Sequence, residues 1–170
     1  SWGIGDFRDL GLICRIAAKQ GAQCVQCSPV HAVAPTVHPQ DSPYSPASRN
    51  FLNLLHIAPG IAPGAERVDL SALSARGRAL NAEPRIDRSR VWAIKHEALL
   101  RIWGAVHDDL PLEYRKWREA QGKFLRRFAI WCALVVKLEE PDWRNWPEEY
   151  RRPDTPAVRE FGEEHADLVE

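Results

Sequence analysis

The segment Asp41-Ser42-Pro43-Tyr44-Ser45-Pro46-Ala47-Ser48-Arg49-Asn50-Phe51-Leu52-Asn53 holds more recognition chemistry than a simple connection needs. Tyr44 stands between Pro43 and Pro46. Each proline fixes its own φ and restricts the residue before it, so the phenol ring becomes a stiff aromatic platform. Ser42, Ser45 and Asp41 add hydroxyl and carboxylate groups beside it. A rigid ring flanked by such groups suits a sugar, whose C–H face lies on the aromatic plane while its hydroxyl edge meets the polar atoms. A proline-rich surface turn is the plainer reading of the same residues, since turns dominate such stretches.

The other reactive side chains carry less. Cys24 and Cys27 form a CxxC, which raises redox or zinc chemistry. A redox pair favours a helix N-terminus, where the thiolate is stabilised. This pair falls in a predicted strand, where residues three apart face opposite ways. No second CxxC or histidine pair completes a zinc set. Cys14, Cys24, Cys27 and Cys132 are therefore expected to be small buried apolar residues of a reduced, cytoplasmic protein. No metal or cofactor is implied. Glu139-Glu140 and Glu148-Glu149 fall in polar connections and read as solvated, and Asp108-Asp109 reads as helix capping. His31 and His38, near the Tyr44 loop, could touch a ligand, with surface histidines as the plainer reading.

These groups must be positioned by the rest of the chain. Its 170 residues suffice for one domain with a core. With 23 basic and 23 acidic residues, no net field favours nucleic acid or an anionic membrane. No apolar run approaches the roughly 20 residues of a membrane span, and no signal peptide is visible. The chain starts with Ser and contains no Met, so trimming at its start is expected.

Asp6 can cap a helix to about Gln20, with Phe7, Leu10, Ile13, Cys14, Ala17 and Ala18 at helical spacing and Gly21 beyond its end. Cys24 to Val30 reads as a short buried strand. Asn53 to Ile57 reads as a second extended piece. Ala58 to Glu83 is rich in Pro, Gly and Ala and reads as irregular, with one helical turn near Leu70 to Ala75.

The second half reads as helical. Asp87 is an N-cap, with Ile86 and Val91 spaced for a hydrophobic staple. That helix should run to about Val106, with Val91, Ile94, Ala98, Ile102 and Ala105 as its apolar stripe. Pro111 opens the next helix, which Gly122 breaks or bends in two. Trp117, Phe124, Phe128, Trp131 and Val135 mark its apolar face, so the tryptophans read as core rather than sugar platforms. Thr155 begins a last helix reaching Glu170. The fold class is thus mostly α with one or two short strands.

SWGIGDFRDL, GAQCVQCSPVHA, SPYSPASRNFLN, RIDRSRVWAIKHEALLRIW, FLRRFAIWCALVVKL and PDWRNWPEEYRRP resemble, in this order, blocks of the 4-alpha-glucanotransferases. These are the amylomaltases, or disproportionating enzymes, of glycoside hydrolase family seventy-seven. The resemblance spans nearly the whole chain and is weakest from about Ala62 to Glu83.

It implies a (β/α)8 barrel with a helical insertion between its second and third strands. Residues 1–60 would then be a partial barrel, 61–85 an irregular connection and 86–170 the insertion. SWGIGDF resembles the loop after the first strand, and CVQCSPV the second strand. The DSPYSP loop follows directly, on the face where such barrels place their active sites. Carried over by motif, Tyr44 stacks on a bound glucose ring, with Ser42 and Asp41 as its polar neighbours.

The family reaction transfers α-1,4-glucan segments between maltooligosaccharides with retention, using two carboxylates about 5 to 5.5 Å apart. Neither the nucleophilic Asp nor the acid/base Glu can be matched here. Both are expected downstream, and the chain alone is expected to be inactive. A lone parallel strand also lacks a ladder partner. The sequence departs from the family at Leu54, where Pro is usual, and at His56, where Tyr is usual. Cys27 and Ser28 replace apolar strand residues. Two other readings share these residues: a non-catalytic α-glucan-binding protein, and a helical interaction module using the stripe from Leu112 to Leu138.

Overall fold

The computed structural model describes residues 1–169. Its residues form two compact units: Ser1–Val33 with Val37–Asp109, and Ala34–Thr36 with the chain from Leu110 onward.

In the first unit, the Asp6 carboxylate accepts from the backbone N–H groups of Arg8 and Asp9, both at 3.0 Å. The Asp9 carboxylate accepts in return from the Asp6 N–H at 3.2 Å. This reciprocal capping box starts helix α1, Phe7–Lys19, where the sequence places it. No residue of α1 is buried, and Leu12, Ile13 and Ile16 are about half exposed.

Cys24 to Val30 does not form the expected strand. The two strands are β1, His31–Ala32, and β2, Ser48–Leu52, paired antiparallel with His31 opposite Leu52 and Ala32 opposite Ser48 across a bulge. Val30 O and Ala32 O also accept from Asn53 N and Ala47 N, each at 2.9 Å. The physical reason is pairing: a parallel strand needs neighbours in a ladder, and the nearest extended segment runs antiparallel. Consequently Cys24 and Cys27, like Cys14, are exposed rather than buried. Asn53 to Ile57, expected to be extended, is a 3-10 turn over Leu54–His56, capped by Asn53, whose side chain accepts from Leu55 N at 3.0 Å.

Helix α2, Ser71–Ala79, is longer than the single turn expected. Helix α3, Arg88–Val106, begins at its predicted N-cap, Asp87, which accepts from Arg90 N at 3.0 Å. Val91, Ile94, Ala98 and Ile102 are buried against Trp2, Leu55, Leu73 and Leu80. Gly77 lets α2 lie against the Trp2 side chain, because a Cβ there would stand 2.7 Å from Trp2 Cβ and Cγ. Gly77→Ala gains roughly 1 kcal/mol of helix propensity but overpacks by roughly 1–3 kcal/mol. Net loss of about 1 kcal/mol is expected in urea unfolding, and a raised midpoint would contradict this packing.

The second unit is built on α4, Leu112–Leu138, with Pro111 as its N-cap. Gly122 adopts φ 52 and ψ −132 and divides α4 in two. Only the later half supplies the core: Ile130, Ala133, Leu134 and Val135 meet Trp146, Val158 and Phe161. Trp117, expected in the core, lies before the break and is exposed, whereas Trp131 is half-buried and stacked on Phe128. Burial pushes the Cys132 thiol up to about 12. Thr155 caps α5, Pro156–Glu164, accepting from Val158 N at 3.2 Å. The helix stops at His165 instead of running on, and α6 follows as Ala166–Val169. Glu170, in the expected helix, lies outside the described residues. Among the described residues, no helix is long and apolar enough to cross a membrane.

Candidate functional site

The β1–β2 pairing closes the base of the loop that carries Tyr44. Within it, Ser42 Oγ accepts from the Tyr44 N–H at 3.3 Å, and Ser42 O from the Ser45 N–H at 3.4 Å. This turn engages Ser42 locally and leaves Tyr44 73% exposed, the most exposed large aromatic side chain described. Asp41 is not free: its Oδ1 accepts from Arg88 Nη1 at 3.1 Å. His38 Nδ1 lies 2.9 Å from Ser89 Oγ. The first turn of α3 thus anchors the loop at two points, and His38 is structural rather than free for a ligand.

Beside this loop lies a cavity of about 350 Å³. Asp41 and Pro43, the residues leading into Tyr44, line it together with His31, His56 and Arg88. The N-terminal loop and α1 contribute Asp6 and Asp9. Every acidic side chain lining it is already engaged. Asp6 and Asp9 form the capping box, and Asp41 pairs with Arg88. The cavity therefore offers apolar walls with hydrogen-bonding groups, such as Ser28 and His56, and its arginine is paired. That chemistry fits an uncharged polyhydroxylated ligand better than an anion.

Lys95 was not anticipated. It is fully buried, and its Nζ donates to Leu55 O at 2.6 Å and Ile57 O at 2.9 Å. Burial lowers its pKa to about 8, opposed by the charges of Asp6 and Asp9. The signal was in the sequence: Lys95 falls four residues after Val91 and three before Ala98, on the buried stripe of α3.

The remaining carboxylate pairs supply no acid/base partners. Glu139, Glu148 and Glu149 are exposed, while Glu140 accepts from Asp142 N at 2.8 Å and Asn145 Nδ2 at 3.1 Å. Asp108 and Asp109 sit in a 3-10 turn after α3 rather than capping a helix, and Asp109 pairs with Arg67 at 3.2 Å. Among the described residues, no group of three His, Cys, Asp or Glu side chains could hold a metal.

Comparison with known proteins extends this picture. The family model described as 4-alpha-glucanotransferase matches residues 1–170. The 4-alpha-glucanotransferase of Mycobacterium tuberculosis H37Rv is 36% identical over 188 residues, covering 100% of this chain and 25% of the relative. That of Haemophilus influenzae is 36% identical over 133 residues, covering 74% of this chain and 19% of the relative. The crystal structure of amylomaltase from Corynebacterium glutamicum superposes with a TM-score of 0.70 at 25% identity, over 95% of this chain and 23% of that one. The chain spans about a quarter of the length of the mycobacterial relative. With its whole length matched by the family model, the chain belongs to the 4-alpha-glucanotransferase family of glycoside hydrolase family seventy-seven.

Proposed function

We propose that this chain is the part of an α-1,4-glucan-transferring enzyme that receives and orients the glucan. The observation that carries the reading is the exposed Tyr44 ring beside a cavity whose charged groups are paired off. Tyr44 stacks on a glucose ring. Ser42 Oγ and the second oxygen of Asp41, fixed by Arg88, take the hydroxyl edge. In the complete barrel, residues 1–60 form the sugar-facing part, 61–85 the connection and 86–170 the helical insertion. That division concerns the parent fold and differs from the packing units of this chain, in which α3 joins the first unit.

The transfer chemistry needs a nucleophilic carboxylate and a second acting first as acid and then as base, about 5 to 5.5 Å apart. Transfer prevails over hydrolysis when an acceptor hydroxyl is held where water would attack. In this cavity Asp6, Asp9 and Asp41 are committed to a helix cap and an ion pair, so none supplies that pair. The chain alone should release no glucose from maltotriose, and turnover abolished by Tyr44→Ala would contradict this assignment. The proposed partners are maltooligosaccharides, with neither nucleic acid nor a membrane. A cytoplasmic location belongs to the same proposal, since three exposed free thiols suit a reducing compartment.

The binding role is tested by Tyr44→Ala. Loss of one stacking platform should weaken maltoheptaose binding by roughly 1 to 3 kcal/mol, by analogy with base stacking. Calorimetric titration of both proteins reads this directly. Because the ring is exposed, the unfolding midpoint should stay put. Unchanged affinity would remove Tyr44 from the site.

A further inference from the structure

The 3-10 turn Leu54–His56 is held from two sides. From α3, the buried Lys95 donates to Leu55 O within the turn and to Ile57 O just after it. On the turn itself, His56 Nδ1 lies 2.9 Å from Gly5 O. The Phe7 ring meets the imidazole edge-on, with centroids 6.0 Å apart. A carbonyl oxygen only accepts, so Nδ1 carries the proton in this bond. With Nδ1 as the donor, the tautomer that fits this bond presents Nε2 as an acceptor. Among the described residues no group takes up Nε2, and His56 lines the cavity.

A ring fixed through one nitrogen, with the other unpartnered beside a cavity, is arranged to contact a ligand. The ligand must donate a hydrogen bond. It must also tolerate a wall whose carboxylates and guanidinium are already paired. A hydroxyl of an uncharged sugar meets both conditions.

We propose that His56 is a ligand-contacting residue of this cavity, accepting a sugar hydroxyl hydrogen bond at Nε2, with Lys95 as the positioning residue that fixes its turn. This rests on the glucan-binding reading of the same cavity. Lys95 touches no ligand itself. It acts by setting where the turn, and so the imidazole, stands.

The test uses the 170-residue chain, maltoheptaose and five substitutions, Tyr44→Ala among them. His56→Asn keeps an N–H donor where Nδ1 lies and removes Nε2. It should lower affinity roughly 5- to 10-fold, the ratio for one hydrogen bond, without shifting the unfolding midpoint. His56→Gln, whose amide oxygen can reach the Nε2 position, should recover part of that loss. In the unmodified chain, the Nε2 resonance in nitrogen-15 NMR should move on saturation with maltoheptaose while Nδ1 stays. Lys95→Met should displace the Nε2 resonance before any sugar is added and lower affinity, and Lys95→Gln, which keeps a donor, should restore part of both. Should neither Lys95 variant fold, the unmodified chain decides. Its Lys95 nitrogen must show scalar coupling to the carbonyl carbons of Leu55 and Ile57, and absence of that coupling overturns the positioning role. Binding that Tyr44→Ala weakens but His56→Asn leaves intact overturns this inference alone. No binding by the unmodified chain overturns it together with the glucan-binding reading.

Discussion

Lys95→Ala should destabilise the first unit by about 3 to 5 kcal/mol, from a truncated core side chain together with a lost buried donor. The substitution empties a fully buried space and strips the donor from Leu55 O and Ile57 O. Large-to-small core changes cost roughly 2–5 kcal/mol, and a stranded buried acceptor costs roughly 1–3 kcal/mol. The two overlap, so they do not simply add. Lys95→Met, which keeps the volume and loses only the donor, should cost less than Lys95→Ala. The wild type carries a further signature in pH. Its Lys95 pKa is lowered to about 8 from the ordinary 10.5, chiefly by burial. Below pH 8 the amine is charged in both states, and the full desolvation cost is present. Between pH 8 and 10.5 the unfolded chain holds the proton and the folded one releases it, so stability rises with pH. At about 1.36 kcal/mol per pKa unit, the gain is on the order of 3 kcal/mol at most. Chemical unfolding of the wild type and of Lys95→Met across pH 7 to 11 isolates it. A difference that stays flat or falls would mean that Lys95 is not buried as described.

Gly64→Ala should be the next most damaging single change, at about 2 to 5 kcal/mol on two additive grounds. Gly64 adopts φ 89, and left-handed backbone costs a residue with a Cβ roughly 1–2 kcal/mol. The new Cβ would also run into Val106 Cγ1 and touch Ile102 Cγ2 at 3.4 Å. Overpacking of this kind costs roughly 1–3 kcal/mol. Gly60, four residues earlier, has nothing within 4 Å of an added Cβ, so Gly60→Ala should change stability by less than about 0.5 kcal/mol. Thermal unfolding of the pair checks both. Equal midpoints would show that the Ala62–Ala65 turn does not pack on α3 as described.

The elements that were legible in sequence are those fixed by local chemistry. Asp6 and Asp87 announce the starts of α1 and α3 because an N-cap is decided within three residues. Gly122 marks the break in α4 for the same local reason. What was not legible depends on partners far along the chain. Cys24 to Val30 has the composition of a buried strand, yet without a parallel neighbour it forms none and exposes its thiols. Trp117 continues the apolar pattern of α4, but α5 and the Trp146 turn cover only the half beyond Gly122. At the candidate site, Tyr44 could be singled out from its flanking prolines. Its anchorage through Asp41 to Arg88 and His38 to Ser89 spans about fifty residues and has no local signature. Lys95 lay in plain view on an apolar stripe, where a charge breaks the pattern of a helix that is otherwise buried on that face.

The proposed role of this chain is to hold an α-1,4-glucan beside Tyr44. The most direct measurement is calorimetric titration of the 170-residue chain with maltoheptaose and, in parallel, with cellohexaose. Both are neutral glucose polymers, so they differ in linkage rather than charge. Saturable binding of maltoheptaose at one site and no measurable binding of cellohexaose are expected. Absence of maltoheptaose binding by the folded chain, or equal binding of the two, would contradict that role.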